Sequence, residues 1–299
     1  MSQAESVHID TALAQQLVSN QFPEWADLPI TMILPGGWDN HSFRLGSTML
    51  VRLPSAARYA AKIFKEQLWL PWLSPKLPLP IPKPIALGKP GFGYPWHWAV
   101  YAWLEGEVAS AAQITSTSTF ARNLANFLRA LQAINATKGP KFGEHNFWRG
   151  GPLAVYHAQT VQALTALQHK INTAVVTAIW DAALTSAWQL APVWVHGDIS
   201  ADNLLVQHGK LNAVIDFGGL AVGDPACDLA IAWNFFDSTA RSAFRAALEL
   251  DAATWQRGRG WALWKALIIC AALPGTNPQT LPLANRCLAA LIDNYKRNL

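Results

Sequence analysis

The stretch His196-Gly197-Asp198-Ile199-Ser200-Ala201-Asp202-Asn203-Leu204-Leu205-Val206, followed by Val214-Ile215-Asp216-Phe217-Gly218-Gly219, decides how this chain is read. Asp198 and Asn203 stand five positions apart on one predicted loop, and Asp216 comes thirteen residues after Asn203. Pro192 to Val195 reads as a short strand entering the loop, Leu204 to Val206 as one leaving it, and Leu211 to Ile215 as its partner. Between the last two, Gln207-His208-Gly209-Lys210 makes a tight turn in which Gly209 supplies the positive φ. That hairpin would fold Asp216 back toward Asn203 and Asp198, so the three side chains are expected to meet. A carboxylate and an amide are hard oxygen ligands suited to Mg²⁺, and a second carboxylate nearby can orient a hydroxyl and take its proton.

This division of labour matches kinase phosphoryl transfer, with a catalytic-loop Asp, a metal-binding Asn and the Asp of a D-F-G segment. H-G-D-x-x-x-x-N-x-L-V, then V-I-D-F-G-G-L, then Gly223-Asp224-Pro225-Ala226-Cys227-Asp228-Leu229-Ala230 resemble the aminoglycoside phosphotransferase family. That family shares the two-lobed protein-kinase-like fold with choline kinases. Three motifs in the right order and spacing carry the resemblance; a lone D-F-G would not. One departure lies inside the loop, where Ser200, Ala201 and Asp202 stand where many relatives carry His, Pro and Gly. It leaves the metal ligands in place and alters the acceptor side.

The resemblance implies an α+β chain with a small N-terminal antiparallel-sheet lobe, residues 1–104, and a larger, mostly helical C-terminal lobe, residues 105–299. It implies ATP or GTP as phosphoryl donor, Mg²⁺ held by Asn203 and Asp216, Asp198 as the catalytic residue, and a small-molecule hydroxyl as acceptor. His196, Asp224 and Asp228 would brace the catalytic loop rather than react.

The upstream sequence fits that order. Ser6 to Gln21 has helical apolar spacing, and Ile30 to Leu34, Ser42 to Leu45 and Met49 to Pro54 read as strands. The turn Pro35-Gly36-Gly37-Trp38-Asp39-Asn40 would let backbone N–H groups of Gly36 and Gly37 approach phosphates. Arg52 takes the place of the kinase lysine, and Glu66 on the predicted helix 57–73 is the matching acid; a planar guanidinium could bridge a phosphate and Glu66 together. A Pro-rich connection then leads to a strand from Trp98. In relatives this is the hinge, whose backbone around Ala102 and Leu104 would hydrogen-bond the adenine edge. Beyond it helices dominate, at Phe120 to Leu131, within Ala154 to Leu190, after Asp224, and at Ser242 to Leu248, Trp255 to Leu273 and Leu281 to Tyr295. The loop 138–151 reads as solvated, though His145, Asn146, Trp148 and Arg149 could touch substrate. Relatives hold the acceptor near Trp233, Asn234 and Asp237.

Composition narrows the class further. At 299 residues the chain is about two domains' worth on a prior of roughly 150 residues each. Apolar residues make up 51%, but their runs fall short of the roughly 18 a membrane span needs, and Met1 to Asp10 lacks the order of a signal peptide. A cytoplasmic protein with no membrane role is expected, a monomer or weak homodimer. The net charge of +4 comes from scattered Lys and Arg, which gives no nucleic-acid footprint. Cys227, Cys270 and Cys287 are expected to be reduced core thiols, and most of the fifteen tryptophans to be packing residues. Polycationic aminoglycosides want an acidic cleft, which a net basic chain with few acids in its last helices does not favour. The competing class is a non-catalytic nucleotide-binding module that regulates a partner. A protein kinase is disfavoured, because only eight residues separate Asp216 from Asp224 and no A-P-E segment follows.

Overall fold

In the computed structural model, which describes residues 7–34, 36 and 39–296, the chain gathers into two compact units. One holds residues 1–105 together with 214–218, and the other residues 106–213 and 219–299.

The first unit is built on alternating apolar segments. Its elements are α1 (Thr11–Gln21), β1 (Ile30–Met32), β2 (Asn40–Leu45), β3 (Met49–Pro54), α2 (Ala57–Leu73), β4 (Pro84–Gly88) and β5 (Trp98–Ala102). The helix expected from Ser6 begins at Thr11, because Asp10 caps it: its Oδ1 accepts from the Leu13 N–H at 2.8 Å. The strands form one antiparallel sheet in the order β1-β2-β3-β5-β4. β4 takes the edge, where Pro84 need not donate to a neighbour. Leu13, Leu17 and Val18 of α1 join Phe43, Leu45, Val51, Leu53, Trp98 and Val100 of the sheet in one core. α2 buries Tyr59, Ile63, Glu66, Leu70 and Leu73, a stripe at helical spacing in which Glu66 is the one charged member.

The second unit follows as β6 (Glu107–Val108), α3 (Thr117–Ala133), α4 (His157–Leu167), α5 (Thr173–Leu184), β7 (Val193–Val195), β8 (Leu204–Gln207), β9 (Lys210–Val214), β10 (Ala221–Gly223), α6 (Ile231–Asn234), α7 (Ser238–Leu248), α8 (Ala252–Cys270) and α9 (Leu281–Lys296). β8 and β9 form the expected hairpin with β6 alongside, and β7 pairs with β10. His208 and Gly209 both take positive φ, 50° and 75°, the two-residue turn that matches strand twist. A Cβ at Gly209 would lie 1.9 Å from Thr115 Oγ1, so glycine is also required by packing.

Phe120, Leu124, Phe127, Leu128 and Leu131 bury one face of α3, which packs on α7; α8 packs on α4, α5 and α9. α7 and α8 start earlier than their apolar spacing suggests, at Ser238 and Ala252, because Asp237 and Asp251 cap them. The segment after Asp224 is a 3₁₀ turn, Pro225–Leu229, followed by the short α6 rather than one helix. Trp180, Trp194 and Trp261 are fully buried here and Trp98 in the first unit, in keeping with packing roles. Cys227 and Cys287 are buried and Cys270 partly exposed; burial raises all three thiols, Cys287 to about 12. Among the described residues no helix is long and apolar enough to cross a membrane.

Candidate active site

The structure brings the sequence-predicted residues together in two groups, one in each unit. In the first, the register of β3 between β2 and β5 sets Arg52 opposite Ser42 and Ala99. Its side chain is 12% exposed and forks between two carboxylates. Nη1 lies 3.2 and 3.3 Å from the Glu66 oxygens, and Nη2 donates to Asp216 Oδ1 at 3.3 Å. Glu66 is buried and also accepts from the Tyr101 hydroxyl. Burial opposes the charge on Arg52, but Glu66 and Asp216 outweigh it and raise its pKa above the ordinary value. Burial, then Glu66, pushes Tyr101 well above the usual phenol range. Arg52 is therefore a fixed cation at every working pH.

Asp216 adopts φ 60°, a left-handed conformation uncommon for a residue with a Cβ and concentrated at functional sites. It takes Arg52 and the Gly218 N–H through Oδ1. Two lysines that the motif reading passed over also converge here. Lys65 Nζ donates to the Gly218 carbonyl at 2.7 Å, and burial lowers its pKa to about 8 against the opposing pull of Glu66 and Asp216. Lys62 Nζ sits 2.5 Å from Asp39 Oδ2, just after the glycine turn. Lys65 adjoins Glu66 in sequence, so a basic neighbour of the paired acid was available as a signal. A Cβ added at Gly36 meets no atom within 4 Å; Gly37 lies outside the described residues. The Ala102 N–H donates to Lys83 O at 2.9 Å, so its carbonyl is the group that could face a base, with the Leu104 N–H two residues on.

In the second unit the loop after β7 is held by its backbone. The N–H groups of His196 and Gly197 each donate to the Asp228 carboxylate at 2.8 Å. Asp228 is fully buried, and that burial raises its pKa while His196 and the two N–H bonds pull the other way. Gly197 has φ +84°, and a Cβ there would fall 2.3 Å from Gly219 O, so glycine is required. His196, also fully buried, accepts from the Asp198 N–H through Nδ1 at 3.2 Å. Asn203 Nδ2 donates to the Asp198 carbonyl at 2.8 Å and reaches its Oδ2 at 3.5 Å. Asp224 caps the following turn and holds the buried Arg257, with Arg257 Nε 2.7 Å from Asp224 Oδ2. His196, Asp224 and Asp228 thus have bracing geometry.

The Asp198 carboxylate itself is 45% exposed, with Lys265 Nζ of α8 at 3.4 Å from its Oδ1. Desolvation works against its charge, but Lys265, Arg149 and His196 together hold its pKa at about 2. Lys265 lies 67 residues away in sequence and carried no motif signal. Arg149 belongs to the loop 138–151, which is not simply solvated. Asn146 is fully buried and ties the loop to the Arg149 and Gly219 carbonyls, at 2.8 and 3.1 Å. The Arg149 guanidinium lies over both Trp261 and Trp264, 5.1 Å from each ring. By contrast, Trp233 is buried against Trp255 and Asp237 caps α7, so packing and capping account for two of the three residues placed at the acceptor side.

A buried Arg–Glu pair beside a strained D-F-G aspartate, together with a braced, half-exposed loop aspartate, defines the phosphotransferase class of kinase-like α+β folds. A sequence profile described as the phosphotransferase enzyme family matches residues 31–261, and the chain belongs to that family. An aminoglycoside 3'-phosphotransferase of Escherichia coli is 29% identical over 126 residues, which cover 37% of this chain and 41% of that one. The match thus spans less than half the length of that relative. Among solved structures, the GDP and kanamycin complex of APH(2")-IIia is similar at a TM-score of 0.70 and 19% identity, covering 96% of this chain and 99% of that one. Macrolide 2'-phosphotransferase type I reaches 0.61 at 18% identity, over 97% and 98%. The shared architecture is the α+β fold with an antiparallel-sheet N-terminal part and a helical C-terminal part.

Proposed function

We propose that this protein transfers the γ-phosphoryl group of ATP or GTP to a hydroxyl of a small molecule. The observation that carries the reading is Asp198: a solvent-reached carboxylate next to the buried His196, Gly197 and Ile199, its own backbone fixed by His196 and Asn203 and the preceding residues by Asp228. With a pKa of about 2 it is ionised at neutral pH and is a weak base. It therefore acts first by accepting a hydrogen bond from the acceptor hydroxyl and orienting it. As the acceptor oxygen bonds to the γ-phosphorus, the bond to the β,γ-bridging oxygen breaks. The hydroxyl proton then passes to Asp198 and on to water, and the nucleoside diphosphate leaves. A loose transition state of this kind asks the protein for positioning and charge rather than covalent chemistry.

Arg52, locked by Glu66, would meet the non-transferred phosphates, and Lys65, with a pKa of about 8, adds a second cation that is largely protonated at neutral pH. The Leu104 N–H and Ala102 carbonyl would take the base, and the Gly36 turn would lie against the phosphates. Asn203 and Asp216 are each suited to Mg²⁺ by donor chemistry: both offer oxygen, Asn203 commits its amide N–H₂ to Asp198, and Asp216 meets its protein partners through Oδ1. When bound, the ion would supply charge neutralisation at the phosphates. The aminoglycoside and macrolide phosphotransferases to which the chain is similar support this reaction class.

The test is Mg²⁺-dependent ATP and GTP consumption across aminoglycoside, macrolide, amino-alcohol, sugar and hydroxy-acid acceptors, with Asp198→Ala as the blank. Acceptor-stimulated turnover that the blank lacks supports the reading. Tight nucleotide binding with no turnover on any acceptor would favour a regulatory module instead.

A further inference from the structure

The charge around the exposed face of Asp198 bears on what the acceptor is. Lys265 Nζ stands 3.4 Å from Asp198 Oδ1, with both side chains nearly half exposed. Arg149 runs past the same loop: its Cβ lies 3.1 Å from where a Gly197 side chain would begin. Its guanidinium is spread over Trp261 and Trp264, both buried, and among the described residues no carboxylate pairs with it. Trp261 and Lys265 are one turn apart on α8, so one helix face presents the ring and the ammonium together. The charged groups acting on Asp198 are all basic.

An ammonium-bearing acceptor entering here would bring its charge against two fixed cations, and like charges at such separations repel. An acid entering would find the opposite. A partly exposed ion pair such as Lys265 with Asp198 is weak and readily exchanged. Resting on the phosphotransfer reading above, we infer that the acceptor is a hydroxylated acid, whose carboxylate or phosphate is held by Lys265 and Arg149 while its hydroxyl is held by Asp198. Taking Lys265 onto the acid releases the Asp198 oxygen that the hydroxyl needs. Arg149, pre-set by stacking on two indoles, offers a planar fork at small entropic cost. Lys265 and Arg149 are then specificity residues.

The test is a binding measurement on the full chain with Mg²⁺ and a non-hydrolysable ATP analogue, by calorimetry or ligand-observed NMR. Two matched series serve as probes: gluconate, sorbitol and glucamine; and 4-(hydroxymethyl)benzoate, 1,4-benzenedimethanol and 4-(aminomethyl)benzyl alcohol. Within a series, the acid should bind on the order of tenfold tighter than the alcohol, as expected for one charge-assisted contact. The amine should bind weakest. Lys265→Met, which keeps the stem at an exposed position, and Arg149→Met should each reduce the preference without changing nucleotide affinity, and the double variant should abolish it.

Three results would overturn the inference. These are an amine that binds tightest, series whose members bind alike (undetectable binding included), and an acid preference that survives the Lys265→Met/Arg149→Met double variant. Because no turnover is needed, the outcome is separate from that of the phosphotransfer reading. That reading fails on absent nucleotide consumption, whereas efficient turnover of a polycationic aminoglycoside would uphold it and refute the acidic acceptor.

Discussion

Replacing Arg52 with Met tests the joint that links this buried cation, proposed to meet the nucleotide phosphates, to both carboxylates. Glu66 is 2% exposed and Arg52 12%, whereas Asp216 is 32% exposed. Removing one partner of a buried pair costs roughly 3–5 kcal/mol, because the remaining charge is left without compensation. Tyr101 still donates to Glu66, which places the loss near the lower end. Asp216 can rehydrate, so its share is about 0–1 kcal/mol, as for exposed pairs. The sum is about 3–4 kcal/mol. At roughly 2–4 °C per kcal/mol, the melting temperature should fall by about 6–16 °C.

The double variant Arg52→Met/Glu66→Gln separates a buried charge from lost packing. An uncharged amide in place of Glu66 should restore about half or more of the loss, since neighbouring residues in one network couple by roughly 0.5–3 kcal/mol. The assay is denaturant unfolding of the four members of the cycle, with nucleotide affinity measured alongside. A single variant that loses less than about 1 kcal/mol, the value of an exposed pair, would refute the argument. So would a double variant no more stable than the single one. Nucleotide affinity should not recover in the double variant, because the phosphate cation is still missing.

Three further outcomes follow from the site. Asp198→Asn should lower kcat by about 10²–10⁴-fold, the range of general-base contributions, with nucleotide affinity unchanged; equal losses in both would contradict its assignment. Lys65 loses its proton near pH 8 in the folded protein, so nucleotide affinity should weaken as the pH rises through 8. Lys65→Arg, which stays charged, should remove that dependence, and titration of nucleotide binding between pH 6 and pH 10 decides it. Asp198 has a folded pKa below that of the unfolded chain, so its contribution to stability is present above the ordinary carboxylate range and is lost as pH falls toward about 2. Lys265→Met should reduce that acid-side loss, which acid unfolding of the two proteins would show.

The legible parts of the site are those in which a few consecutive residues set the geometry. The β8–β9 turn follows from two strands and a glycine at a fixed spacing, whereas the braced loop from His196 to Asn203 and the Arg52–Glu66 pair are what the resemblance implied; the contacts of all three are found in the structure. Helix starts were legible in principle from Asp10, Asp237 and Asp251, three capping aspartates, but apolar periodicity alone misplaces them. Asp237 illustrates that omission: read only for the acceptor side, it also caps α7. Lys265 was not legible. It reaches Asp198 only because α8 packs on α4 and α5, and nothing local in the sequence encodes that approach.

Charge shows the same division between composition and place. A net charge of +4 argues only faintly against a cationic acceptor, because it says nothing about where the charges sit. The structure sets Lys265 and Arg149 beside the Asp198 carboxylate, where both favour its charged form. Any carboxylate is a far weaker base than an alkoxide, so in the proposed reaction Asp198 would take the hydroxyl proton only as the acceptor oxygen bonds to phosphorus. The cations beside Asp198 bear on its protonation, and in the proposed reaction the pH profile of kcat should be flat on its acidic side until Asp198 itself is protonated. In Lys265→Met the acidic limb should move to higher pH. An unmoved limb would mean that Arg149 and His196 suffice to hold Asp198 ionised, and that Lys265 serves the acceptor alone.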